Sequence, residues 1–217
     1  MLRLYDYWSS SSAYRVRIAL GLKGLPFERV VVRRLDGIED RAYGAVNPQG
    51  FVPTLEVDGQ RLIQSAAILE YLEERHPTPP LLPADLVGRA RVRAMAQLVV
   101  ADIQPLNNQR VQDALTGEFG FDRPTLERWY ARWIAEGLAA LERMVAEGCD
   151  GSGDEDGFCH GPEPGMADIC LVPQLFNARR WRCDLDPYPR LRRIEARCAG
   201  LPAFAAARPE AQADCPE

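Results

Sequence analysis

The sequence predicts a small α/β domain with a mixed four-stranded sheet, followed by an all-helical domain. Three observations predict this order. Strand signals are confined to the first third of the chain, the dipeptide Asp58-Gly59 sits between short apolar runs, and from Ala84 onward the apolar spacing is helical throughout. The first strand is expected over Leu2 to Tyr7, short and rich in apolar and aromatic residues, and the second over the β-branched run Phe27 to Val32. Between them Ser12 to Lys23 reads as a helix with a serine-rich start and Gly24 as its stop. Thr54 to Val57 and Arg61 to Ile63 flank Asp58-Gly59, a hairpin signal because both turn positions need φ > 0. Ser65 to Arg75 reads as a helix ended by His76-Pro77. A strand returning through a helix to a parallel neighbour is a right-handed crossover, and the hairpin then adds antiparallel strands, a βαβ-ββα order.

Pro77-Thr-Pro-Pro-Leu-Leu-Pro83 reads as a stiff linker. The expected division is therefore 1–76, linker 77–83, and a helical domain over 84–217. Within the latter, helices are expected over Leu86 to Ala114, Arg123 to Glu147, Met166 to Arg180 and Tyr188 to Leu201. Gly148 to Gly157 is acidic and glycine-rich and is expected to be a mobile loop, and Ala205 to Glu217 a frayed tail.

The bulk chemistry narrows the function. With 47% hydrophobic and 26% charged residues, the 217-residue chain can bury an ordinary core, and its net charge of −5 argues against a nucleic-acid partner. The N-terminus lacks the apolar stretch of a signal peptide, and no apolar run approaches the roughly 18 residues of a membrane span. A cytoplasmic protein without a membrane partner is expected. The six cysteines (Cys149, Cys159, Cys170, Cys183, Cys198 and Cys215) form no C-x-x-C pair, and His160 is the histidine near them, so no metal site and reduced thiols are expected.

Three places can do chemistry. Ser9 to Ser12 lie between the first strand and the first helix, where unpaired N–H groups and the positive dipole end favour an anion. A serine hydroxyl there can stabilise a thiolate against its thiol, although it serves equally as a plain N-cap. Val52-Pro53 opens the third strand. A proline there can be cis and expose the preceding backbone to an extended peptide, or can simply start a strand. Gln64-Ser65 begins the next helix, where N–H groups and a hydroxyl can hold a carboxylate or only cap. A serine hydrolase is not supported, since neither histidine, His76 or His160, adjoins the serines.

These residues fall into a larger pattern. Ser10-Ser-Ser-Ala-Tyr-Arg-Val-Arg-Ile-Ala-Leu20, Asn47-Pro-Gln-Gly-Phe-Val-Pro-Thr-Leu55, Gln64-Ser65, Tyr71-Leu-Glu-Glu74, Asp102-Ile-Gln-Pro-Leu-Asn-Asn108, Met166-Ala-Asp-Ile-Cys-Leu-Val-Pro-Gln174, Asn177-Ala-Arg-Arg-Trp181 and Asp184 to Pro189 occur in collinear order. The chain thereby resembles the zeta-class glutathione S-transferases, which include maleylacetoacetate isomerase and bacterial maleylpyruvate isomerase, over nearly its whole length. The resemblance implies a thioredoxin-like glutathione-binding domain, a helical substrate-binding domain, glutathione as the cofactor, and a homodimer. It implies that Ser10 and Ser11 face the glutathione sulfur, with Ser12 beside them, and that Ser10 stabilises the thiolate. Val52, before Pro53, would pair with the cysteinyl part of the tripeptide, and Gln64 and Ser65 would hold its γ-glutamyl end. Gln104 and Asn108 would approach from the helical domain, while Arg180, and secondly Arg110, would bind a substrate carboxylate through the planar guanidinium fork. The implied reaction is cis–trans isomerisation of an enone diacid by thiolate addition, bond rotation and elimination, a step of aromatic amino-acid catabolism.

The sequence departs from that pattern at four positions. Ser9 stands where the class carries arginine, Ser12 where it carries cysteine, Tyr14 where it carries tryptophan, and Gly165 where it carries a Ser or Thr cap. The loss of the cation at position 9 leaves open a transferase or dehalogenase acting on small electrophiles such as α-halo acids. A non-catalytic ligand-binding member of the fold is the remaining alternative. Asp168, near the start of its helix, reads as structural.

Overall fold

The computed structural model describes residues 1–32, 34–35, 38–39, 43–148 and 157–216. They form two compact units, one of residues 1–81 with 199–217 and one of residues 82–198.

The first unit is built on a sheet of order β2-β1-β5-β6. Strand β1 (Leu2–Asp6) pairs in parallel with β2 (Phe27–Val31), with Leu2 opposite Phe27, and antiparallel with β5 (Thr54–Val57), with Tyr5 opposite Thr54. Strand β5 continues through the Asp58-Gly59 turn into β6 (Gln60–Ile63); Asp58 and Gly59 have φ of 49° and 77°, as the hairpin signal requires. A short ladder of β3 (Arg34–Leu35) and β4 (Ile38–Glu39), which the residue pattern did not announce, stands apart from this sheet. Helix α1 (Ser11–Leu22) joins β1 to β2, and α2 (Ser65–Arg75) follows β6. Every residue of α1 from Ala13 to Leu20 is buried, Arg15 and Arg17 included. The helix is therefore covered on more than one side, by α2 and by a C-terminal helix described below.

The single lysine of the chain fastens this unit. Its Nζ donates to Glu73 at 2.8 Å and to the carbonyls of His76 and Pro79, both at 2.6 Å, so all three ammonium protons are used in a fully buried place. Glu73 also accepts the Leu81 N–H at 2.8 Å, which ties the proline-rich segment to α2. Breaking one partner leaves the other charge buried and uncompensated. Glu73→Ala is expected to lower unfolding free energy by roughly 3–5 kcal/mol in urea titration, and Lys23→Met in that background to recover much of the loss.

The second unit contains α3 (Leu86–Gln97), a π-helical turn (Leu98–Ile103), α4 (Gln104–Leu106), α5 (Gln109–Gly117), α6 (Arg123–Gly148) and α7 (Met166–Arg180), with most of α8 (Pro189–Ala199). The helix expected as one span over 86–114 is thus divided. Asn107 leaves helical geometry (φ −117°, ψ 10°), and Asn108 restarts it, its Oδ1 accepting the Val111 N–H at 3.1 Å. Asparagine side chains compete with the backbone for its own hydrogen bonds, and a helical apolar period does not register that competition.

The helix expected over 188–201 also ends early, and Pro202 starts α9 (Pro202–Ala207), where a missing N–H costs nothing. The expectation of a frayed tail over 205–217 is corrected: Ala207 and Pro209 are buried, and α9, which runs into this segment, packs along α1. The contact is close because Gly21 faces Ala203; a Cβ on Gly21 would lie 3.1 Å from the alanine Cβ. Alanine-rich segments read as weakly hydrophobic, yet small side chains are what allow two helices to approach. The expected acidic loop over 148–157 and Cys149 fall largely outside the described residues, which omit 149–156.

Candidate functional site

The pairing register brings three of the expected segments to one end of the sheet. Strand β1 leaves it at Asp6 toward the serines, β5 enters opposite Tyr5 after Val52-Pro53, and β6 leaves opposite Thr54 toward Gln64-Ser65. The order β1-β5-β6 makes these three connections neighbours.

Ser10 is the N-cap of α1. It has extended backbone (φ −70°, ψ 115°), its carbonyl accepts the Tyr14 N–H at 2.8 Å, and its Oγ accepts the Ala13 N–H at 3.2 Å. Capping uses a lone pair of the oxygen and leaves the hydroxyl proton to be donated elsewhere. The capping and thiolate-stabilising readings of this serine are therefore compatible. The Ser10 N–H donates to the Tyr7 carbonyl at 3.0 Å, closing a tight turn around Trp8 and Ser9. Ser11 and Ser12 fill the first turn of α1, half-buried, and no acidic residue there opposes an anion.

The Val52–Pro53 peptide is cis. The loop ahead of it is held by two side chains converging on the Phe51 carbonyl: Tyr43 Oη donates at 3.0 Å and Asn47 Nδ2 at 2.5 Å. Asn47 Oδ1 in turn accepts the Gln49 N–H at 2.9 Å. Val52 itself lies in no strand and is half-buried. Gln64 has φ of 68° and ψ of 115°, in the left-handed half of φ that a non-glycine residue adopts only under constraint from its surroundings. Its side-chain amide donates to Gln49 Oε1 at 2.6 Å, linking two of the loops. Ser65 begins α2, and its Oγ accepts from Nη1 of the buried Arg15 at 3.3 Å. Arginine has no acceptor, so Ser65 must direct its own proton to another partner.

In the helical unit, Gln104 follows the π-helical turn, its N–H bonding back five residues to the Val99 carbonyl. Asn108 caps α5, and Arg110 lies exposed on it; Gln104 and Asn108 are half-buried. Arg180 is exposed at the end of α7. Sequence reasoning did not single out Tyr130, a buried residue near ionisable groups of α5, α6 and α7. Tyr130 on α6 is buried, stacks on Trp181 with ring centroids 3.8 Å apart, and feels Asp113 of α5 together with Arg180 and Arg123. Burial chiefly, and Asp113 next, push its hydroxyl up to about 12, while the two guanidiniums pull it down, so it stays a neutral donor. Arg123 lies over the opposite ring, 4.6 Å from the Trp181 centroid. An i, i+4 reading of α6 assigns Tyr130 to the apolar core and gives no sign of these neighbours. A cavity of about 110 Å³ in the same unit, lined by Arg91, Met95, Met144, Glu147 and His160, contains none of the expected residues.

Asp168 does what its sequence position suggested. It is buried, its Oδ2 accepts the Gly165 N–H and its Oδ1 the Cys159 N–H, both at 2.8 Å. Gly165 has no side chain to return the bond, so only half of a capping box forms. Burial raises the Asp168 carboxyl above its ordinary value, and the two backbone donors offset this in part. Cys159, Cys170 and Cys198 are buried and in no disulfide, and burial raises the Cys159 and Cys198 thiols, which makes these two poor nucleophiles. Among the described residues no group of His, Cys, Asp and Glu is placed to hold a metal, and no helix is long and apolar enough to cross a membrane.

Comparison with known proteins places this geometry. Residues 4–80 match the glutathione S-transferase N-terminal domain and residues 126–197 the C-terminal domain. The chain is 48% identical over 219 residues to the maleylacetoacetate isomerase of Pseudomonas aeruginosa, covering 99% of each. It superimposes with a TM-score of 0.92 on the holo structure of a maleylpyruvate isomerase described as a bacterial zeta-class glutathione S-transferase (45% identity, 99% of this chain, 100% of the other). A TM-score of 0.85 relates it to the maleylacetoacetate isomerase of Anaeromyxobacter dehalogenans, whose active site holds dicarboxyethyl glutathione and citrate (49% identity, 100% of this chain, 94% of the other). The chain therefore belongs to the glutathione S-transferase family, among the zeta-class maleylacetoacetate and maleylpyruvate isomerases.

Proposed function

We propose that the protein is a glutathione-dependent isomerase that converts a cis enone diacid, maleylacetoacetate or maleylpyruvate, into its trans form. The observation that carries this reading is the convergence of the Ser10 cap, the Val52-Pro53 edge and the Gln64-Ser65 helix start at one end of the sheet. That set fits an extended, anionic tripeptide: a hydroxyl at a helix N-terminus for a thiolate, a strand-edge backbone for a peptide, and a second helix N-terminus with a serine proton for a carboxylate. Glutathione, when bound, supplies the thiolate that adds to the double bond and leaves after rotation about the resulting single bond. The protein lowers the cost of that ionisation. Ser10 donates a hydrogen bond to the ionised sulfur while keeping its proton, the α1 dipole adds positive potential, and Ser11 and Ser12 complete the polar wall. Val52 pairs with the cysteinyl backbone, while Gln64 and Ser65 hold the γ-glutamyl group.

In the helical unit, Gln104 and Asn108 contribute polar contacts to the tripeptide. Arg180, with Arg110 as a second cation, takes a substrate carboxylate through paired N–H groups. A cytoplasmic homodimer is proposed, with glutathione binding over 1–76 and substrate binding by the helices of 84–217, the last residues of which, 199–217, pack with the first unit.

The test is absorbance-monitored isomerisation of maleylpyruvate and maleylacetoacetate with and without glutathione. Turnover that requires glutathione supports the reading. Chloride release from α-halo acids without isomerisation would replace it by the dehalogenase reading that Ser9 motivates, because a pocket lacking that cation grips a diacid less well. Failure to bind millimolar glutathione would leave only a ligand-binding member of the fold.

A further inference from the structure

We propose that the C-terminal segment is a positioning device for the serine loop, acting through Asp214; the inference rests on the role of Ser10 proposed above. Trp8 lies inside the tight turn that the Ser10 N–H closes on Tyr7, so displacing Trp8 displaces Ser10. Both backbone groups of Trp8 are held by side chains. Its N–H donates to Asp214 Oδ2 at 3.2 Å, across 206 positions of sequence, and its carbonyl accepts from Arg17 Nη2 at 3.1 Å.

The same side chains grip the tail and one another. Arg17 Nε donates to the Ala207 carbonyl at 2.9 Å, and Arg17 Nη1 to the fully buried Asp6 at 2.7 Å. Arg29 bridges Asp6 to Asp214, donating to Asp214 Oδ1 at 2.6 Å and to the second oxygen of Asp6. Each of Asp6, Arg17, Arg29 and Asp214 keeps at most 17% of its side chain exposed, so the ion pairs are little screened by water. A tail that needed only tethering has its tether already, in α9 packed along α1. The charged network goes further and ends on the backbone of the loop that orients the serines. Charged hydrogen bonds of this kind hold an atom in place where a loop alone would not, and a site that stabilises a transition state depends on such placement.

The experiment compares the full chain with Asp214→Ala, Asp214→Asn and a chain ending at Asp214. Hydrogen exchange at the Trp8 amide reads the latch without glutathione. Calorimetry gives the glutathione Kd, and the ultraviolet absorbance of the bound thiolate against pH gives its ionisation. In Asp214→Ala, Trp8 exchange is expected to accelerate about tenfold, for the loss of one hydrogen bond to a charged group. The bound thiol should titrate about half to one unit higher, with Kd raised roughly three- to tenfold. Asp214→Asn, which keeps an acceptor but not the charge, should fall between, and serves as the test if the alanine variant does not fold. The chain ending at Asp214 should match the full chain in all three readouts.

A folded Asp214 variant with faster Trp8 exchange but unchanged thiol titration and Kd would overturn the proposal and leave the tail a purely structural tether. If the full chain ionises glutathione yet isomerises neither diacid, the functional reading fails while the latch stands. If Ser10→Ala leaves the thiol titration unchanged, the latch has nothing to position and the inference falls with it.

Discussion

Replacing Ser10 by alanine is expected to lower kcat/KM for glutathione-dependent isomerisation about a hundredfold, the scale seen when one preorganised donor to a developing anion is removed. The geometry separates this loss from any effect on folding. Ser10 Oγ accepts the Ala13 N–H, so the variant also loses a helix cap, worth about 1 kcal/mol and a few degrees in Tm. That is small beside the catalytic loss and is measured independently by thermal unfolding. The pH dependence gives a sharper readout. A free thiol titrates near 8.5, and a serine proton with a helix N-terminus moves the bound thiol below that. The thiolate is the active form, so activity rises with pH through this titration. Removing the donor shifts the profile alkaline, and raising the pH partly restores the rate. Ser11→Ala should cost about tenfold or less, since Ser11 lies one residue inside the helix and does not cap it. Equal losses from the two variants, with no pH shift in either, would remove Ser10 from the role.

Arg180→Ala is expected to raise KM for the diacid by roughly 10- to 150-fold with kcat little changed, matching the 1.5–3 kcal/mol of a hydrogen bond to a charged group. Arg180 is exposed at the end of α7, so Tm should stay within a degree or two of the parent. Arg180→Lys should recover only part of the affinity, because an ammonium is a point charge and cannot meet two carboxylate oxygens in plane. Arg110→Ala should give a smaller rise. Unchanged kinetics with both arginine variants would mean that the carboxylate is bound elsewhere in the protein. Tyr130, neutral across the working range and within the field of Arg180, is the next position to substitute, with phenylalanine.

How much of this was legible in the sequence depends on the range of the interaction. The Asp58-Gly59 hairpin, the β1-α1-β2 crossover and the span of α2 follow from local rules, and each stands as read. The Ser10 cap was visible because a serine before an apolar helical run is itself a local signal. The break at Asn107 and Asn108 was hidden, since the apolar period runs on through a place where side-chain amides reset the backbone. The neighbours of Tyr130 were hidden because α5, α6 and α7 meet only in space.

The tail shows the division most clearly. Local composition determined that Ala205 to Glu217 carries few large apolar groups, and from that a frayed end was the natural reading. Whether it is ordered was decided by Gly21 on α1, which admits Ala203, and by Arg29, which meets Asp6 and Asp214 at once. The four strands of the main sheet, α1, α2 and the Ser10 cap were written in runs of a few neighbouring residues, where propensity and turn geometry act. The burial of Asp6 and Arg17, the support beneath Ser65 and the grip on Trp8 each need partners from distant parts of the chain, and only the folded arrangement supplies them. Ionic and hydrogen-bonding partners carry no sequence period, so the burial of charged residues such as Asp6 and Arg17 is not legible until the fold encloses them.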